Sequence, residues 1–264
     1  MKTRNGFVSN SSSSSFVVAF PKKPKDEEEV YQMMFNGEDG FINPYPESYT
    51  DMTHREIADR VFRDLQSDQN EEYKHVVVPA SLNDIIVRFT NRYHYYGPTS
   101  CVHIWNASTD EIGGQWSTDG DSRYYGIDKD LMIKFRDFIV KMDEEEKVIH
   151  EEEQELWKRF PLTHPKNNSP KTELDAYYHA RDEFRHSDPK MKTFEEKRMK
   201  RWSYNWEVQE KLRKKIAEVD AKAFLKDNNK AFIAILEYAD DGGEGVLEHG
   251  DIFRNLPVVK ISNH

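Results

Sequence analysis

A single cysteine, Cys101, stands among the 264 residues, so the chain can form neither an intrachain disulfide nor a cysteine-based zinc site. No run approaches the ~18–20 apolar residues that a membrane-spanning helix needs, and the N-terminal residues do not read as a charged-then-apolar export signal. The expectation is a soluble protein that stays in the cytoplasm. Positive charge is in deficit as well. Against 48 Asp and Glu there are 38 Lys and Arg, a net charge of −10 that argues against a general binder of nucleic-acid backbone. Also missing are a Gly-x-x-x-x-Gly-Lys-Ser/Thr phosphate loop, a Gly-x-Gly-x-x-Gly turn after a strand, calcium-loop spacing and His-Glu-x-x-His. No recognised motif assigns this chain a reaction.

What is present is a high aromatic share, 12%, beside 37% hydrophobic and 33% charged residues, the mark of a folded chain with much solvated helical surface. Phe16–Phe20 is apolar and stopped by Pro21, and reads as a short buried strand. From Asp26 to Asn36 an acidic start followed by Val30, Met33 and Met34 predicts a short amphipathic helix. Asp51 is the predicted cap of a second helix carrying Ile57, Ala58, Val61, Phe62 and Leu65 at helical spacing. Further strands are expected at 75–78, 85–89, 101–105 and 232–238, with 112–116 as a hairpin partner. Aromatic residues between Tyr93 and Tyr125, with Arg88, Arg92 and Arg123, read as core and rim packing, since Asp110, Glu111, Asp119 and Asp121 would repel a stacked nucleic acid.

From residue 128 the pattern changes to long helices. Leu131, Phe135, Phe138, Ile139 and Met142 make an apolar stripe, followed between Asp143 and Glu155 by eight acids and one lysine within thirteen residues. Such a run needs a nearby source of cations, and the beginning of a second long helix, Pro189 to Asp227, supplies one in Lys190, Lys192, Lys197, Arg198, Lys200 and Arg201. The two helices are expected to pair antiparallel across the 166–187 connector, which has room for a short helix. The fold class read from these elements is α+β: a mixed sheet of about five or six strands with packed helices and a projecting long helical hairpin. Residues 1–127 with 228–264 would form the sheet domain and 128–227 the charged hairpin inserted in it.

Two chemical readings concern the chain ends. Asp240, Asp241, Glu244, His249 and Asp251, with His264 as an addition, crowd a glycine-rich segment after a strand and offer ligands for a divalent metal. In the alternative to metal binding, Asp240 and Asp241 cap an ordinary turn. At the other end Ser11, Ser12 and Ser13 offer hydroxyls and backbone N–H groups to an anion, unless the serine run is only a polar lead into the strand.

The opening Arg4-Asn5-Gly6-Phe7-Val8-Ser9-Asn10, with Ser11–Ser15 and Phe16, resembles a group of uncharacterised bacteriophage and bacterial proteins that begin with Arg-x-Gly-Phe-Val-Ser-Asn and poly-Ser. The closing Leu247-Glu-His-Gly-Asp-Ile-Phe253 is similar to endings in the same group. The resemblance implies a phage-like or mobile-element origin and implies no activity. The function expected is therefore a phage-type cytoplasmic accessory protein that binds a macromolecular partner, a host or phage protein. Its contact would be the acids Glu144, Glu145, Glu146, Glu151, Glu152 and Glu153. The alternative is a metal-dependent hydrolase or phosphodiesterase built on the C-terminal Asp/Glu/His segment, in which a bound ion activates water.

Overall fold

The computed structural model describes residues 13–44, 46, 50–66, 76–92, 104–106, 111–113, 125–126, 128–166, 169–239 and 245–263. They fall into two compact units, Met1–Met132 with Arg213–His264, and Ile133–Leu212.

The first unit is built on a four-stranded antiparallel sheet. Its strands are β1 (Ser13–Phe20), β4 (Val76–Val77), β7 (Phe232–Ala239) and β8 (Val258–Asn263), in the order β4-β7-β1-β8. β1 lies in the middle, and all its residues after Ser13 are buried. That is why it reads as a continuous apolar run rather than an alternation. Phe16, Val18 and Phe20 share one core with Ala234, Leu236 and Tyr238 of β7. On that face pack α1 (Glu27–Phe35) and α2 (His54–Gln66), through Val30, Met34 and Phe35 and through Ile57, Val61 and Leu65. The short α7 (Gly245–His249) adds Val246 and Leu247 to the same cluster. On the opposite face Val17, Ala19, Ile233, Ile235, Val259 and Ile261 are buried in turn. There α3 (Leu82–Asn91) reaches Glu237 through Arg88 at 3.0 Å, and its Phe89 meets Phe224 of α6 (Pro189–Asp227) edge-on at 6.1 Å.

Several expectations change. The 85–89 segment is not a strand but the middle of α3. Ser81 and Asp84 form a reciprocal capping box, and Ile85, Ile86 and Phe89 bury one helical face. Five mainly apolar residues satisfy either period, and the cap decides. Asp51 does not cap α2. The helix starts two residues too late for it, and Thr53 caps instead, its hydroxyl accepting from the Glu56 amide at 3.2 Å while the Glu56 carboxylate accepts from the Thr53 amide at 2.8 Å. Asp51 accepts from Asn43 Nδ2 at 2.6 Å. Among the described residues the hairpin β5 (Ile104–Asn106) and β6 (Glu111–Gly113) pairs only with itself, as do β2 (Phe41–Ile42) and β3 (Met52–Thr53). The α+β class holds, and among the described residues the main sheet has four strands, all antiparallel, where a mixed sheet of five or six was expected. His75, Cys101–His103 and 114–116 lie outside the described residues. β8, which the sequence reading did not anticipate, fills the edge beside β1.

The second unit contains most of α4 (Lys129–Trp157), all of α5 (Lys171–Ser187) and α6 as far as Leu212. α4 and α6 run antiparallel, joined by Glu145–Arg201, Glu152–Lys197 and Glu153–Arg198. The connector holds a helix of 17 residues rather than a short one. Trp157, Phe160, Tyr177 and Phe184 close that end in a ring cluster with centroids 5.4–6.0 Å apart. α6 begins with Pro189 behind an Asp188 carboxylate that accepts from the Lys190 and Met191 amides, both at 3.0 Å. The Met191 amide, and then Arg159 beside it, hold the Asp188 carboxyl below its ordinary value. Among the described residues no helix is long and apolar enough to cross a membrane.

Candidate functional site

Two places carry the residues singled out by the sequence. The first is the end of the sheet where the start of β1 lies between β7 and β8. Ser13 pairs with Ala239 of β7 and with Asn263 of β8, so the described end of the poly-Ser run lies between the two C-terminal strands. The side chains of β1 alternate there. Ser14 turns to the α1/α2 face and donates its hydroxyl to Glu248 Oε1 at 3.0 Å, and Ser15 turns to the other face and donates to Glu237 Oε2 at 3.4 Å. Glu237 is neutralised by Arg88, while His249 Nε2 lies 3.5 Å from Glu248 Oε2. Ser14, Ser15 and Glu248 are almost completely buried. A buried hydroxyl given to a carboxylate removes the cost of leaving either unpaired, which accounts for polar residues inside an apolar strand.

Of the metal-ligand candidates, His249 and Asp251 are described, and Asp240, Asp241, Glu244 and His264 lie outside the described residues. His249 ends α7. Gly250 then donates its amide to the Val246 carbonyl at 2.9 Å, and a Cβ on Gly250 would come within 2.4 Å of that oxygen. Asp251 takes a left-handed φ of 47°. In this geometry the His249-Gly250-Asp251 sequence is a helix-terminating turn. Among the described residues no three His, Cys, Asp or Glu side chains gather as a metal site. Of the anion-site candidates, Ser11 and Ser12 lie outside the described residues. Ser13 opens β1, and the next two hydroxyls are spent on carboxylates, whose charge has the wrong sign for holding a phosphate.

The second place is the helical unit. The six acids proposed as a contact surface divide into two sets. Glu145, Glu152 and Glu153 pair with Arg201, Lys197 and Arg198 of α6, whereas Glu144, Glu146 and Glu151 face solvent with no ion pair among the described residues. Three of the six candidate acids thus serve to hold the two helices together. Between them lies a groove of about 730 Å³, floored by Phe138, Met142, Ile149 and Phe194 and edged by Val148, Lys197, Lys200 and Tyr204. A different side of α6 displays a feature not singled out from the sequence. Met199 and Trp202 are 54% and 59% exposed and Trp206 44%, and the two indoles stack with centroids 6.0 Å apart. Their spacing of three and four was the available signal. Within a helix rich in aromatics, spacing alone does not distinguish an inward stripe from an outward one.

No family model, no curated protein and no solved structure matches the chain.

Proposed function

We propose that this chain is a phage-type cytoplasmic accessory protein that acts by binding a protein partner, with the 133–212 helical unit as the contact. The phage-type origin rests on the Arg4–Ser15 resemblance, and a cytoplasmic location suits a chain with one cysteine and therefore no intrachain disulfide to form. The observation that carries the binding reading is the outward face of Met199, Trp202 and Trp206. Trp is among the residues that dominate protein–protein interfaces, because a large rigid ring removes much area from water at little entropic cost. Leaving Trp202 59% exposed on a strongly charged helix forgoes that gain, and a partner with an apolar pocket recovers it. The partner contact therefore moves from the six candidate acids, three of which pair with α6, to the aromatic face of α6.

The test compares capture by the wild-type chain with capture by Trp202→Ala/Trp206→Ala. A protein retained in stoichiometric amount by the first should be lost by the second, with affinity falling by at least about tenfold for anchors of this kind. Circular dichroism should show helix content unchanged, since both side chains are exposed. Equal retention on both proteins removes the aromatic face from the proposal, and no stoichiometric partner on either removes the binding function.

A further inference from the structure

The groove between α4 and α6 carries exposed acids on its α4 wall and the exposed Lys200 on its α6 wall, where Glu196 stands one turn before that lysine. On the α4 side Glu144 and Glu151 flank Val148 by four and three residues, and Val148 is 63% exposed. On the α6 side Lys200 and Tyr204, one helical turn apart, form the other wall. The inner charges are already spent, with Glu145 on Arg201 and Glu152 on Lys197, and Lys141 lies 4.0 Å from Glu145. Of the outer charges, Glu144, Glu151, Glu196 and Lys200 have no ion pair among the described residues. An apolar floor lies between the walls, and the residues at the rim are exposed.

We propose that a second copy of this chain covers this face, in a two-fold dimer whose axis runs along the helices. Such a rotation carries α4 of one copy over α6 of the other, so the Lys200 of each copy meets the Glu144 and Glu151 of its partner. Levels match as well. The Glu145–Arg201 and Glu152–Lys197 pairs place Lys200 level with the stretch of α4 around Val148, so each Lys200 comes between Glu144 and Glu151 of the other copy. A two-fold axis across the helices would stack α4 on α4 and set acid against acid, which charge forbids. The arrangement closes as a pair of helical hairpins in which Val148 and Tyr204 cover the two grooves, the packing of a four-helix bundle. Lys200 and Trp202 are two residues apart and so about 200° apart around α6. The dimer face is therefore separate from the aromatic face, and either proposal can fail alone.

Sedimentation velocity on the full chain tests this through two charge variants. The wild type at about 100 µM and low salt should sediment as twice the 31.2 kDa chain mass. Lys200→Glu alone sets acid against acid, Glu144→Lys/Glu151→Lys alone sets base against base, and each should weaken self-association by at least about tenfold. Mixed in equal amounts, the two should form a heterodimer in which every outer pair is again of opposite sign. Recovery on mixing cannot come from a damaged fold. A monomeric wild type overturns the proposal and leaves the groove to another occupant. A dimer indifferent to both variants, or two variants that stay apart when mixed, overturns it as well.

Discussion

Asp220 of α6 is fully buried, with one carboxylate oxygen 2.7 Å from Arg92 at the end of α3 and the other accepting the Tyr125 and Gly126 amides at 2.7 and 3.2 Å. One side chain thus ties together a helix end, a loop and a second helix within the sheet unit. Removing one member of a buried ion pair leaves the other charged and desolvated, at a cost of about 3–5 kcal/mol. Asp220→Ala should lower the urea midpoint of unfolding by a corresponding amount, and a change below about 1 kcal/mol would show that the pair is not structural. In the sequence, Arg92 and Asp220 are one arginine and one aspartate among many. Their partnership spans 128 positions and follows no local period. Ser14 and Glu248 raise the same difficulty, since a serine run reads as a polar turn until the strand places each alternate hydroxyl over a particular carboxylate.

Elements were legible where a cap and a period agreed. The 189–227 helix is legible from its basic opening and from Leu212, Ile216 and Val219 at helical spacing, and α1 from the acids that open it. The failures lie where a short apolar run meets two periods. Ile85–Phe89 is short enough to fit a strand, although Ser81-x-x-Asp84 announces a helix start. Ser81→Ala should therefore cost about 1 kcal/mol in unfolding free energy by removing the α3 cap, whereas Asp51→Ala should leave α2 unaffected. Chemical denaturation of the two variants checks both statements, and equal effects would mean that the capping assignment is wrong. β8 carries little local signal, because its apolar stretch Val258–Ile261 is brief and interrupted by Lys260. Only pairing with β1 makes it a strand.

Over the whole molecule the two units differ in what holds them. The sheet unit has a central strand buried on both faces, whereas α5 of the helical unit buries no residue and is secured by rings and by pairs such as Arg185–Glu195 at 3.2 Å. Native-state hydrogen exchange should find the slowest amides in β1 and β7 and markedly faster ones in α5. The reverse order would contradict this division. By itself the sequence determined the α+β class, the long charged helices and the sign of the charge along each, because composition and local period are written residue by residue. The tertiary structure decided which charges are spent: Glu145, Glu152 and Glu153 on α6, with Glu144, Glu146 and Glu151 left to solvent. It also decided that the poly-Ser run ends beside β7 and β8, and that Trp202 and Trp206 face outward. Each of these depends on which residues far apart in the chain become neighbours, and burial and ion pairing are properties of neighbours rather than of residues.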